Sequence, residues 1–390
     1  MSRIVFFNIP AWGHTNPTVE VVRELADRGH HVRYYSFEPF RKKLETAGAE
    51  VICCDNALPP QPKNLDKKVG KDFASLIAMV TDTTLALDEQ VCRELKEFRP
   101  DVIVSDSVCF WGKLFAKKLE IPYVCSTTTF AFNQYTAKLM KPKAGELLRS
   151  ILGMPRIGQK MALLRQHGYQ VEKMTELLEN DHTTHTIVYT AKEFQPMVET
   201  FSDRYVFVGP SLPREKTDSK LPEKTKPLIY VSLGTVMHDH RQIFCQNCVE
   251  ALHELDVNAI LSVGTAENLA ALGSLPENIQ AEVKVDQLAV LRHADAFLTH
   301  CGMNSTSEAI WYGGPTILSP QQSEEALVAS RMEELGMGLR LYSERPAEIR
   351  KAVTKVLTDP RYRKNTLAMA HHFQEAGGAP KAVDFILRLI

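Results

Sequence analysis

The loop Pro10-Ala-Trp-Gly-His14-Thr-Asn-Pro17 puts an imidazole just past an apolar run, Ile4 to Ile9. Near neutral pH an imidazole is well matched to removing a proton from a hydroxyl. Its natural partner is a carboxylate, and Arg99-Pro-Asp-Val-Ile-Val-Ser-Asp106 ends in one, directly after another apolar strand. On the same C-terminal strand edge, Asp106 can accept from the imidazole Nδ1–H, fixing the tautomer and stabilising the imidazolium. The plainer uses of these residues are a solvated or structural loop histidine and an N-cap for the helix that follows Asp106.

A second chemistry centres on His300-Cys-Gly-Met-Asn-Ser-Thr-Ser-Glu308. A short apolar strand, Ala296 to Thr299, stops at His300 and turns tightly through Gly302. Asn304 or Ser305 then offers an N-cap oxygen, and Ser305 to Tyr312 reads as a helix closed by Gly313-Gly314. A strand feeding a turn and a helix N-terminus leaves backbone N–H groups without intrahelical acceptors, a seat for phosphate. His300, Asn304, Ser305 and Thr306 add donors there, and Glu308, about one turn in, is spaced to accept from a ribose hydroxyl. Ser232-Leu-Gly234-Thr235 is a further glycine turn behind a strand, able to touch a diphosphate. An ordinary β–α junction is the plainer reading of both turns.

These side chains need strands that end where the chemistry begins, and the sequence repeats one plan twice. In the first half the strands Ile4 to Ile9, His31 to Ser36, Glu50 to Cys54, Val102 to Ser105, Tyr123 to Ser126 and Ile187 to Tyr189 alternate with helical patterns. Asn16 and Pro17 read as the N-cap and first residue of the first helix, Leu58 to Lys71 as a loop, and Asp72 to Phe98 as a long helix. Phe130 to Asp181 is helical in pattern, with aromatic and Met side chains able to pack or to line an apolar pocket. From Pro210 to Lys226 the composition turns to Pro, Lys, Glu, Asp and Ser. The second half restarts with strands Leu228 to Ser232, Asn258 to Val263, Glu282 to Val285, Ala296 to Thr299 and Thr316 to Ser319. Continuous apolar strands alternating with helices predict two doubly wound α/β parallel sheets, with ligands at the strand C-termini in a cleft between them. The domains are then 1–209 for the acceptor, a linker 210–226, and 227–377 for the donor.

Composition limits the partners. With 390 residues the chain is long enough for two cores, and its 44% hydrophobic and 24% charged content is that of a globular protein. A formal net charge of −1 argues against nucleic acid held by bulk electrostatics. No apolar run reaches the length of a membrane span, which predicts no stable membrane insertion. Met1-Ser-Arg leads straight into a strand, so no signal peptide is expected, and Cys53, Cys54, Cys92, Cys109, Cys125, Cys245, Cys248 and Cys301 lack the spacing of a disulfide framework. A cytoplasmic location is the expectation. A nicotinamide site fails because Gly13 is the only glycine between Ile4 and Gly29. No metal is expected: Asp239 in Met-His-Asp-His is the nearest imitation of a metal-binding Asp-x-Asp in the second half.

The block from His300 through Gly314-Pro315 to Pro320-Gln321 resembles the donor signature of family-1 UDP-glycosyltransferases. It is most similar to the bacterial macrolide-glycosyltransferase group, where His-Gly-Gly-Met-Asn-Ser is typical. Cys301 stands for the first Gly, as in many plant members. Pro10-x-x-Gly-His14-x-x-Pro17 resembles the family's N-terminal motif, whose His is the general base, and Arg99-Pro-Asp-x-x-x-x-Asp106 the motif of its partner. Ser232-x-Gly234-Thr235 is similar to the phosphate-contacting Ser-x-Gly-Ser/Thr. The resemblance spans nearly the whole chain and implies the GT-B architecture, with the last helix, about 378–390, packed back on the first domain.

The resemblance also exposes departures. Most members carry Trp or Tyr two residues before Pro-Gln, to stack on uracil; here the segment is Val283-Lys284-Val285-Asp286-Gln287. The Asp/Glu-Gln pair that grips sugar hydroxyls becomes Glu324-Glu325, and a carboxylate only accepts where an amide also donates. The donor residues implied are Ser232, Gly234, Thr235, Val285, Gln287, His300, Gly302, Asn304, Ser305, Glu308, Glu324 and Glu325. The expected reaction is inverting transfer of a sugar, glucose first, from a UDP-sugar co-substrate to a hydroxyl of a small apolar acceptor such as a phenolic, flavonoid or macrolide. No other cofactor is expected. The alternatives are a GT-B nucleotide-sugar epimerase and a non-catalytic nucleotide-sugar binding protein.

Overall fold

A computed structural model describes residues 1–56, 73–139, 144–172, 183–214, 225–234 and 240–390. The chain forms two compact units: Met1–Thr190 with Met197–Leu212 and Gly377–Ile390, and Ala191–Pro196 with Pro213–Ala376. The first unit holds β1 (Arg3–Phe7), β2 (His31–Ser36), β3 (Glu50–Cys53), β4 (Val102–Asp106), β5 (Tyr123–Thr127), β6 (His185–Val188) and β7 (Tyr205–Phe207). They form one parallel sheet in the order β3-β2-β1-β4-β5-β6-β7. Helices cover both faces, so the central strands are apolar throughout rather than alternating: Ile4, Val5, Phe6 and Phe7 are all buried. Each such side chain contributes about 1.5–3 kcal/mol on burial. Phe6 and Phe7 also stack on Tyr34 and Tyr35 of β2 at 5.4 and 4.7 Å.

The second unit repeats the plan with β8 (Leu228–Ser232), β9 (Asn258–Ser262), β10 (Ile279–Glu282), β11 (Ala296–Thr299), β12 (Thr316–Leu318) and β13 (Gly338–Arg340), ordered β10-β9-β8-β11-β12-β13. In both sheets the winding reverses beside the first strand, between β1 and β4 and between β8 and β11. In doubly wound sheets that is the place where ligands bind, beyond the strand C-termini. The last helix, Gly378–Leu387, places Ala379, Ala382, Val383 and Ile386 in the core of the first unit, and Asp384 pairs with Arg28 at 2.6 Å.

Several boundaries differ from the sequence expectation. The first helix runs Trp12–Asp27 from an N-cap at Ala11, a turn earlier than Asn16 suggested. Pro17 lies inside it, and Asn16 accepts from Lys43 Nζ at 2.7 Å instead of capping. The strand expected at Glu282 to Val285 is β10, three residues earlier at its start. β7 and β13 were not expected; each is a three-residue edge strand, too short to show a pattern. The expected loop Leu58 to Lys71 and most of the expected linker lie outside the described residues, as do Thr235 and Asp239. Among the described residues no helix is long and apolar enough to cross a membrane.

Candidate active site

His14 sits in the first turn of the helix Trp12–Asp27, so its backbone is fixed by the junction with β1. Asn8, immediately beyond that strand, donates from Nδ2 to the His14 carbonyl at 2.9 Å and to Tyr34 Oη at 3.0 Å. Asp106 is the last residue of the neighbouring β4, and its Oδ2 lies 2.7 Å from His14 Nδ1. The carboxylate is buried, whereas the imidazole keeps 24% of its surface exposed, enough to meet a substrate. Asp106 Oδ1 accepts from the Val108 N–H at 2.8 Å, so both carboxylate oxygens are committed. The plainer capping role is not the one observed: the following helix, Phe110–Lys118, has Cys109 as N-cap with no side-chain cap bond, and the bond to Val108 is a local turn contact. Thr128, just beyond β5, brings Oγ1 to 3.3 Å from the same imidazole nitrogen. Asn8 and Thr128 were missed by sequence reasoning; a lone Asn in an otherwise apolar run was the available signal.

In the second unit the helix after β11 runs Met303–Trp311 with Gly302 as N-cap. Asn304 and Ser305 are thus first-turn residues rather than caps. The reason is steric: a methyl at Gly302 would overlap His300 Nε2, and one at Gly234 would come within 2.6 Å of the same ring. The imidazole is packed between the two glycines, and Gly234 adopts φ +67°. Cys301 is also left-handed, with φ 69°, where the similar motif carries glycine. Its N–H is held by Thr299 Oγ1 at 3.1 Å. Ser232 Oγ accepts from the Gly234 N–H at 3.3 Å, closing the turn.

Burial pushes His300 down to about 4, with the Arg241 charge acting in the same direction and the Ser232 backbone opposing. The ring is therefore neutral at pH 7 and acts as a hydrogen-bond donor or acceptor rather than a cation. The Ser232 backbone lies beside it without forming a well-directed bond to Nδ1, which has no partner among the described residues.

Gln287, Ser305 and Glu308 are brought together, with Gln287 Nε2 donating to Glu308 Oε2 at 2.5 Å and to Ser305 Oγ at 3.1 Å. Tyr230 Oη donates to Gln287 Oε1 at 3.3 Å. Val285 packs on the apolar cluster around Tyr230 and Phe297. Asp286, where the similar motif has Pro, caps the helix Gln287–Leu291 by accepting from the Ala289 N–H at 3.2 Å. Lys284 and Glu324 are exposed. Glu325 is buried, and its Oε2 accepts from the Gln321 and Gln322 N–H groups at 2.7 and 3.0 Å. One oxygen of the expected sugar-reading carboxylate thus serves its own helix N-terminus. Burial pushes this carboxyl up to about 7, the two backbone bonds offsetting part of the shift.

The chain resembles known proteins along nearly its whole length. Residues 246–389 match the erythromycin biosynthesis protein CIII-like C-terminal domain. The chain is 33% identical over 383 residues to the NDP-glycosyltransferase YjiC of Bacillus subtilis, covering 97% of this chain and 95% of that one. It is 32% identical over 404 residues to the demethyllactenocin mycarosyltransferase of Streptomyces fradiae, covering 100% and 87%. The crystal structure of the glycotransferase of kitacinnamycin superposes with a TM-score of 0.85 at 26% identity, covering 100% of this chain and 99% of that one. Two doubly wound units on this plan are the GT-B fold. The chain belongs to the family-1 glycosyltransferases, in their macrolide-type group, and is an enzyme that takes its sugar from a nucleotide-sugar donor.

Proposed function

We propose that this enzyme is an inverting glycosyltransferase that moves a sugar, glucose first, from a UDP-sugar to a hydroxyl of a small apolar acceptor such as a phenolic, flavonoid or macrolide. The observation that carries the reading is the 2.7 Å contact between His14 Nδ1 and the buried Asp106 carboxylate. With Nδ1–H given to Asp106, Nε2 carries the lone pair that takes the acceptor proton. The freed oxygen attacks the anomeric carbon from the face opposite the diphosphate, the C–O bond to the diphosphate breaks, and the configuration inverts. Charge growing on the leaving diphosphate meets neutral His300 and the N-terminus of the helix Met303–Trp311. Gln287 and Glu308 suit the nucleoside, Glu308 accepting from a ribose hydroxyl. No resident metal or cofactor is part of this reading, and the enzyme acts in the cytoplasm.

The name of the Bacillus relative leaves the base open, and the exposed Lys284 offers no ring for uracil. Relaxed choice between UDP and TDP donors follows from that residue. The test is incubation of the enzyme with UDP-glucose, TDP-glucose and a mixed acceptor panel, with products read by mass spectrometry and anomeric configuration by NMR. Products that keep the donor's α configuration would overturn the inverting mechanism. Donor turnover without any acceptor would favour an epimerase.

A further inference from the structure

Arg241 has no place in the site as read from sequence, yet it lies directly behind it. It is the first residue of the helix Arg241–His253 and is only 2% exposed. Its Nη2 donates to the Gly234 carbonyl at 2.6 Å, with Leu233 O more distant at 3.5 Å. A methyl at Gly264 would overlap Nη1, so that glycine, at φ +84°, makes room for the guanidinium. Nε has no partner among the described residues, and no carboxylate among them pairs with the group. The titratable neighbours are few and neutral at pH 7: the buried Cys245 thiol, which burial pushes up to about 11, and the His300 ring on the other side of the glycine turn.

A guanidinium buried without a counter-charge is costly, and natural proteins pair such groups or set them against a bound anion. Here the layers run guanidinium, Gly234 turn, imidazole, at the strand edge where a diphosphate is expected. We propose that Arg241 is a positioning residue of the donor site, which clamps the Gly234 carbonyl to set the glycine turn and whose charge, without a carboxylate partner among the described residues, is balanced by the donor diphosphate. This rests on the nucleotide-sugar reading of the second unit. Arg241 acts through the turn and does not itself touch the ligand. The same charge opposes protonation of His300, keeping the ring a neutral hydrogen-bonding group beside the phosphates.

The test is calorimetric titration of wild type, Arg241→Met, Arg241→Gln and Arg241→Lys with UDP, TDP and uridine, joined to an NMR titration of the His300 imidazole. Loss of the charge should weaken UDP on the order of ten- to hundredfold, about the worth of the charge-assisted hydrogen bond to the Gly234 carbonyl that holds the turn, and uridine much less. Donor KM should rise more than kcat falls. Arg241→Lys should restore most of the preference for UDP over uridine, and in both neutral variants the His300 titration should move to higher pH. Arg241→Gln keeps a donor for the Gly234 carbonyl and decides the matter if the methionine variant does not fold. Equal weakening of UDP and uridine, or an unmoved UDP affinity, overturns the role of Arg241. Failure of wild type to bind either nucleoside diphosphate overturns the donor-site reading instead.

Discussion

Asp106→Asn should disable the base by turning its lone pair the wrong way. Both oxygens of Asp106 are engaged, Oδ1 accepting from the Val108 N–H at 2.8 Å and Oδ2 facing His14 Nδ1 at 2.7 Å. An asparagine has one acceptor and one donor end. If its oxygen stays on Val108, its NH₂ points at Nδ1, which must then accept, leaving the proton on Nε2 where the acceptor hydroxyl should deliver its own. If the amide flips, a buried donor meets the Val108 N–H, at a cost of about 1–3 kcal/mol. The first arrangement is favoured, and it also removes the negative charge that stabilises the imidazolium. A base lost in this way costs on the order of 10²–10⁴ in rate, or about 3–5 kcal/mol of transition-state stabilisation. The assay is kcat with an aliphatic alcohol acceptor, alongside nucleotide affinity by calorimetry and ¹⁵N NMR of the His14 tautomer. Expected are a large fall in kcat, unchanged nucleotide binding and a proton found on Nε2. An acidic phenol acceptor, able to ionise by itself, should lose much less. Near wild-type kcat with the alcohol would refute the reasoning outright.

Other expectations are simpler. UDP or TDP at 100 times its Kd should stabilise the protein by about 2.7 kcal/mol, read as a rise in Tm; an unmoved melting curve with both would count against the donor site. Lys284→Trp should tighten UDP by about 1–3 kcal/mol through stacking on uracil, checked by calorimetry. Glu325→Gln should raise Tm at pH 8 and leave it little changed at pH 5, measured by calorimetric scans in both buffers.

The fold was legible because the buried strands of both sheets are written as uninterrupted apolar runs; β8 and β11 were placed at their observed bounds. Edge strands such as β13 have no such run, since only three residues pair. Asp106 and His300 were legible as polar residues ending an apolar strand, and His14 as an imidazole in the loop just past one. Helix starts were not. Both first turns begin earlier than the capping rules suggest, because His14 and the glycine at 302 are placed by what they pack against rather than by a capping side chain. Arg241, and the burial of Glu325, escaped for a related reason: charge at a buried position is set by three-dimensional neighbours, and an arginine opening a helix looks exposed from its neighbours in sequence.

The two sheets solve opposite electrostatic problems at the same topological place. His14 follows β1 at one switch point, partly exposed and backed by the buried Asp106 carboxylate. His300 follows β11 at the other, buried and backed by a cation, an arrangement that refuses a proton. Protonating His300 at pH 7 would cost about 4 kcal/mol, from a value pushed down to about 4. The sign for stability follows. His300 is lowered from 6.5, so the unfolded chain binds more protons and stability falls as pH drops below 6.5. Glu325 is raised from 4.5 to about 7, so the folded chain binds more protons and stability falls as pH climbs from 4.5 to 7. Each full swing is about 3 kcal/mol, and between pH 4.5 and 6.5 the two slopes oppose each other. A glutamine at 325 would leave the His300 slope unbalanced, so that variant should lose stability to acid more steeply than wild type below pH 6.5. The expected outcome is that the Glu325 carboxylate flattens the acid response of the second unit between pH 4.5 and 6.5.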